Sequence, residues 1–272
     1  METFLQHVRA AAPQLGAVRV RGNGVGNLNE TLFLDSDVGA VVLRRRRPGG
    51  EQAVAGYIGG VLEACGLARH GARVVLRTAP QEAAHIRLLA RHGVAVSPPL
   101  AHGEDWLVYP YVGGTPLDRL VARGAPGLPT ATAHALRSLA IQLERAHAAG
   151  IVLGDRWGGN EIIGPEGDVV LIDFDVGLVG RLDDLRPFDR AVAIVGALAA
   201  LTQPGRVPGP ETVASVLSAL ASDRQDASRV AAMLDGHRRY YRSGRHQATG
   251  LAKPSAWYAA FDPILAQAAG HD

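Results

Sequence analysis

The stretch GIVLGDRWGGNEIIGPEGDVVLIDFDVG, residues 150–177, decides how the rest of the chain is read. Asp155 is followed five positions later by Asn160, and Asp173 stands inside the apolar run DVVLIDF. The turn formers of GPEGD separate NEII from that run, so the segment reads as a loop followed by a β-hairpin. Such a hairpin brings Asn160 close to the region of residue 173. A carboxylate and an amide carbonyl are hard oxygen donors, suited to Mg²⁺ whose octahedron is completed by phosphate oxygens. Asp155 stays free to orient a hydroxyl. Any one of the three alone is better explained as a turn or strand-end residue, because turns attract Asp and Asn. Their combination is what points to chemistry.

Outward from this hairpin, helical periodicity dominates. HALRSLAIQLERAHAAG (134–150) places Leu136, Leu139, Ala140 and Leu143 at i, i+3, i+4 and i+7, and ETVASVLSALA (211–221) repeats the pattern. Upstream, VRVRGNGVGNLNETLFLDSDVGAVVLRRRR reads as three antiparallel strands near 17–21, 30–35 and 39–45. A helix over 51–68, a short strand in ARVVLR, a helix from residue 80 ended at Gly93, and a buried strand in DWLVYPYVGG follow. Strands first and helices later imply an α+β chain.

Composition excludes several classes. A 47% apolar and 20% charged chain of 272 residues can build one large domain or two lobes and is not disordered. The net charge of +2 makes nucleic acid an unlikely partner; Arg44–Arg47 and 237–246 are local basic patches, and the first reads as a solvated edge at a strand end. Cys65 is the single cysteine, which rules out an intrachain disulfide and a thiolate zinc cluster. The longest apolar segment, AVAIVGALAAL (191–201), falls short of the ~20 residues that span a bilayer, and METFLQHVRAAAPQLGAV has no signal-peptide core. These features imply a soluble, cytoplasmic protein with no membrane partner. No G-x-S-x-G and no H-E-x-x-H occurs, so serine-hydrolase and zincin chemistry are set aside.

D-x-x-x-x-N followed by an apolar strand and I-D-F resembles the catalytic and metal loops of the protein-kinase-like superfamily. The likeness is to its compact atypical branches: RIO-type kinases, the small kinase of the KEOPS complex, lipopolysaccharide sugar kinases and aminoglycoside phosphotransferases. The resemblance implies a two-lobed kinase-like fold, with residues 1–110 as the N-lobe and 111–272 as the helical C-lobe. It implies Asp155 as catalytic base and Asn160 and Asp173 as magnesium ligands. GNGVGN (22–27) stands where the family covers the phosphates, which assigns Gly22, Gly24 and Gly26 to nucleotide binding. Arg44 falls on the lysine position of the third strand. Glu82 is its implied partner, with a surface role in the first helical turn as the bland alternative and Glu51 or Glu63 as competitors. The carbonyl of Pro110 and the N–H of Val112 would recognise adenine. ATP and Mg²⁺ are the implied cofactors. The acceptor would be a hydroxyl on a protein or a small molecule, with a protein partner left open.

About forty residues separate Val112 from Asp155. That is lean for an antibiotic phosphotransferase and nearer the RIO, KEOPS or sugar-kinase pattern. Three departures stand out. Leu153 replaces the usual histidine, Arg44 replaces lysine, and DFD replaces D-F-G, with Asp175 as an extra acidic ligand. The first two motivate a rival reading as a pseudokinase, a nucleotide-binding or scaffolding chain without transfer. Asp189 reads as the N-cap of the apolar helix that follows it, with bracing of the catalytic loop as the alternative.

Overall fold

The computed structural model describes residues 2–24, 29–47, 51–122, 130–202, 207–220, 224–249 and 255–270. Helix α1 (Glu2–Ala11) leads into β1 (Arg19–Gly24), β2 (Asn29–Ser36) and β3 (Gly39–Arg46), an antiparallel run. Helix α2 (Glu51–Ala64), β4 (Arg73–Leu76) and α3 (Ala79–Arg91) follow. Then come β5 (Ala101–His102) and β6 (Trp106–Pro110), which complete a five-stranded sheet of order β1-β2-β3-β6-β5. Beyond the link at 111–114 lie β7 (Thr115–Pro116), α4 (Leu117–Ala122) and α5 (Thr130–Ala148). The hairpin strands β8 (Glu161–Ile163) and β9 (Val169–Leu171) come next, followed by β10 (Val176–Val179). Four helices end the described chain: α6 (Leu182–Leu201), α7 (Pro210–Leu220), α8 (Arg224–Arg242) and α9 (Ser255–Ala268).

Alternation along β3 sets the geometry of everything that follows. Val41 and Leu43 point to one face, where they pack with Leu5, Val8 and Leu15 of the α1 layer and with Trp106 and Val108 of β6. Val42 and Arg44 point to the other, where Val42 meets Ala79 and Ala83 of α3. The four consecutive arginines are therefore split. Arg44 is buried, while Arg45 is exposed, pairs with Asp105 at 3.0 Å and lies over the Phe4 ring.

The helical half has one continuous core to which helices α4 to α9 and the β8–β9 hairpin contribute, joined by Ile86 and Leu89 of α3. Leu153 sits in that core with none of its surface exposed, worth about 2–3 kcal/mol for a leucine. The apolar residue at the histidine position thus packs. A second core spans both sides of residue 110: Val54, Ile58 and Leu62 of α2 pack with Val152, Phe188 and Tyr240. β4 pairs with β10 and stays out of the five-stranded sheet, so residues 51–76 rest on the helical half beside the catalytic-loop candidates. Among the described residues no helix is long and apolar enough to cross a membrane.

Candidate active site

The hairpin does what its sequence suggests. Glu161 lies opposite Leu171, and one further bond, from Ile172 N to the Asn160 carbonyl at 2.9 Å, sets Asn160 beside Ile172 and next to Asp173. The Asn160 amide nitrogen donates to the main-chain oxygen of Asp155 at 2.9 Å and to its carboxylate at 3.4 Å. These bonds orient the amide and leave its Oδ1 as the atom that can face a cation. Asp155, Asn160 and Asp173 are each half-buried, so all three reach solvent from the floor between the sheet and the helices.

Arg44 and Glu82 close that floor from above. A capping box of Thr78 and Gln81 starts α3 and places Glu82 in its first turn. Glu82 is 1% exposed, so the surface reading is overturned. The Arg44 guanidinium bridges the carboxylates of Glu82 and Asp173. A planar fork with five donors can hold two acids at once, where an ammonium offers a single point charge. Glu82 also accepts from Phe174 N at 2.9 Å, which ties α3 to the DFD segment. Of the competing partners, Glu63 pairs with Arg245 at 2.7 Å instead.

Asp173 has φ of +60°, the one non-glycine residue in the left-handed region among those described. Burial raises its carboxyl, but the Arg44 guanidinium and a hydrogen bond from Asp175 outweigh this and hold it below the ordinary carboxylate range. Burial and the Asp173 charge push Asp175 the other way. Asp175 is buried and accepts from Asn29 Nδ2 at 2.8 Å, so it is a β2 contact and not the extra ligand its sequence position suggested. Burial pushes the Asp155 carboxyl up to about 6, with Arg156 and the Asn160 hydrogen bond lowering it and the Asp173 charge raising it.

The remaining sequence-derived residues fall at the mouth. Gly22 follows an irregularity in the β1–β2 register, and Gly24 packs closely enough on Thr31 and Phe33 that a Cβ would come within 3.1–3.3 Å of them. Gly26 lies outside the described residues. Arg21, Gly22, Phe33, Ala40 and Tyr111 line a cavity of about 270 Å³ beside the link, with Phe33 and Tyr111 edge to face at 5.8 Å. The Pro110 carbonyl accepts from the Ser97 hydroxyl at 3.3 Å, which leaves its second lone pair, and Val112 is half-buried next to it.

Asp189 is not a cap. Helix α6 begins at Leu182, so Asp189 lies two turns inside it, fully buried. It accepts from Leu153 N at 2.8 Å, from Gly154 N at 2.7 Å and pairs with His147 Nε2 at 2.9 Å. The residue braces the backbone immediately before Asp155. His147, near the end of α5, is buried in the same brace. Arg77 and Arg156 went unmarked in the sequence because both bind main-chain carbonyls of the DFD segment, and carbonyls leave no signal in residue types.

The APH phosphotransferase enzyme family matches residues 19–157, from the first strand through the loop that carries Asp155. That is just over half of the chain. The chain belongs to this family. Its α+β architecture, an antiparallel sheet followed by a mostly helical half, is the protein-kinase-like one. Of the branches the sequence resembles, the match falls on the aminoglycoside-phosphotransferase type, whereas the short spacing had favoured the leaner ones. No curated protein matches the chain significantly. As a family of phosphotransferases it sets the reaction class, and the donor set tests for a metal. Among the described residues no three His, Cys, Asp or Glu side chains form an all-protein metal cage. The Asp173 carboxylate and the Asn160 amide oxygen, on half-buried residues brought near by the hairpin, are hard donors of the kind that would fit a magnesium ion arriving with phosphate oxygens as its other ligands.

Proposed function

We propose that the chain is an ATP-dependent kinase-like enzyme that moves the γ-phosphoryl group of Mg-ATP to a hydroxyl of a protein or a small molecule. The observation that carries this reading is the bridge from Arg44 to both Glu82 and Asp173, the latter next to Ile172, whose N–H bonds to the carbonyl of Asn160 in the half-buried Asp155–Asn160 pair. Adenine would enter the cavity beside Tyr111, using the Pro110 carbonyl and the Val112 N–H. Gly22 and Gly24, with Gly26, would let the backbone approach the phosphates. Asn160 and Asp173 would hold magnesium, which neutralises phosphate charge when bound. Asp155, ionised above about pH 6, would orient the acceptor hydroxyl and take its proton as the new O–P bond forms and ADP leaves. Positioning and charge neutralisation supply most of the acceleration. A soluble, cytoplasmic setting, where ATP is abundant, suits this reading.

The test compares wild type with Asp155→Asn. Transfer from γ-labelled ATP to an acceptor panel, including the protein itself, is measured beside the melting shift given by Mg²⁺ and a non-hydrolysable ATP analogue. Wild type should transfer label and Asp155→Asn should lose roughly 10²–10⁴-fold, with both stabilised by the analogue. Stabilisation of both with equal silence in transfer would establish the pseudokinase reading instead. No stabilisation by any nucleotide would remove the site assignment altogether.

A further inference from the structure

Arg156 follows Asp155 in the loop, yet its side chain points into the protein and is 1% exposed. Burying a guanidinium is costly unless its donors are matched, and an apolar residue of similar volume is often the more stable choice. Here Nη1 and Nη2 are matched mainly by main-chain carbonyls, while Nε is buried without a hydrogen-bond partner. Nη2 donates to the Asp173 carbonyl at 2.6 Å, and Nη1 donates to the carbonyls of Ile172 at 3.2 Å and Asn160 at 3.4 Å. Glu161 Oε1 lies 3.4 Å from Nη1 without a hydrogen bond, its carboxyl pushed up to about 7 chiefly by burial, and the guanidinium lies over the Phe174 ring, 4.9 Å from its centroid.

Those three carbonyls belong to the two residues that flank the metal position and to the one whose N–H joins them. The shortest of the bonds falls on Asp173, the residue with the strained φ of +60°. A non-glycine residue in that region is strained and persists only where its surroundings over-determine it. On the opposite side Arg77 grips the carbonyls of Phe174 at 2.8 Å and Val176 at 3.0 Å, and Glu82 holds Phe174 N. Among the described residues, Arg156 is the side chain that hydrogen-bonds both the Asn160 and the Asp173 carbonyls. The loop is seated from beneath by Gly196 of α6, where a Cβ would come within 2.9 Å of the Arg156 carbonyl.

We propose that Arg156 is a positioning residue that holds Asp173 in its left-handed conformer and sets the spacing between Asn160 and Asp173, and so tunes affinity for the magnesium–nucleotide complex. The inference rests on the reading of Asn160 and Asp173 as magnesium-holding residues. Arg156 touches neither nucleotide nor acceptor and acts through those two. Lysine preserves charge and reach but has no planar fork for converging carbonyls.

The test uses the full chain as wild type, Arg156→Lys, Arg156→Gln and Glu161→Gln. The melting shift given by a non-hydrolysable ATP analogue is followed as Mg²⁺ is titrated, with an EDTA arm for metal-free binding. Arg156→Lys and Arg156→Gln should match wild type in EDTA but need about 10–100-fold more Mg²⁺ for half of the metal-dependent shift. Glu161→Gln keeps the three carbonyl bonds and should stay within a few-fold of wild type. An unchanged magnesium requirement in both Arg156 variants overturns the proposal, as does an equal rise in Glu161→Gln, which would make the ion pair the working element. Failure of both Arg156 variants to fold also overturns it, since the residue would then be a folding anchor. Absence of any metal-dependent shift in wild type removes the magnesium assignment itself, a different and earlier failure.

Discussion

Replacing Asp189 with alanine separates two roles that differ in energy and in consequence. The carboxylate is fully buried and accepts from two main-chain donors, Leu153 N and Gly154 N, besides His147 Nε2. Its removal leaves both amides without an acceptor in a region closed to water. At about 1–3 kcal/mol for each buried donor left unpaired, the loss is roughly 2–6 kcal/mol, centred near 4. At about 2–4 °C per kcal/mol for a chain of this size, the melting temperature should fall by on the order of 8–16 °C. Loss of a helix cap alone would cost only about 1 kcal/mol. Gly154 precedes Asp155 directly, so transfer by the folded variant should also fall, through kcat more than through the KM for ATP. Asp189→Asn retains one acceptor oxygen but turns an NH₂ toward a donor, and should fall between the two. Urea unfolding followed by tryptophan fluorescence gives the stability term, and steady-state kinetics at a temperature where the variant is folded gives the other. A loss under about 1 kcal/mol with unchanged kcat would refute the brace.

Two further outcomes follow from the same geometry. Burial raises Asp155 to about 6 and only its ionised form can accept a proton, so kcat/KM should be level above that pH and fall as pH drops through about 6; a profile that stays level down to pH 5 contradicts the assignment. Gly196→Ala would place a Cβ 2.9 Å from the Arg156 carbonyl and 3.1 Å from Trp157 Cα, both backbone atoms that cannot swing aside. Overpacking of this kind costs typically 1–3 kcal/mol, opposed by about 1 kcal/mol of improved helix propensity. The variant should be less stable by urea midpoint and slower in transfer, and a stabilised variant would show that α6 does not seat the loop.

What local spacing determines, the sequence determined by itself. The Asp155–Asn160 interval, the turn in GPEGD and the apolar run to Asp173 are all set within a few dozen residues, so the hairpin that brings Asn160 beside Ile172 was legible before any coordinates. The same holds for α5 and α7, whose leucines and valines repeat with the helical period, and for the three antiparallel strands β1 to β3; that Arg44 is buried while Arg45 is exposed was decided by packing. Helix α3 was legible too, but whether Glu82 faced solvent or Arg44 was not, because both positions are compatible with one helical turn. Only packing chose between them, by setting α3 against the cleft face of β3. Asp189, Arg77 and Arg156 lie further beyond the reach of sequence. Each acts on main-chain N–H or C=O groups from another segment, and these groups are the same in every residue. Their partners are decided by where the backbone passes in three dimensions, which is a property of the folded core and not of any motif.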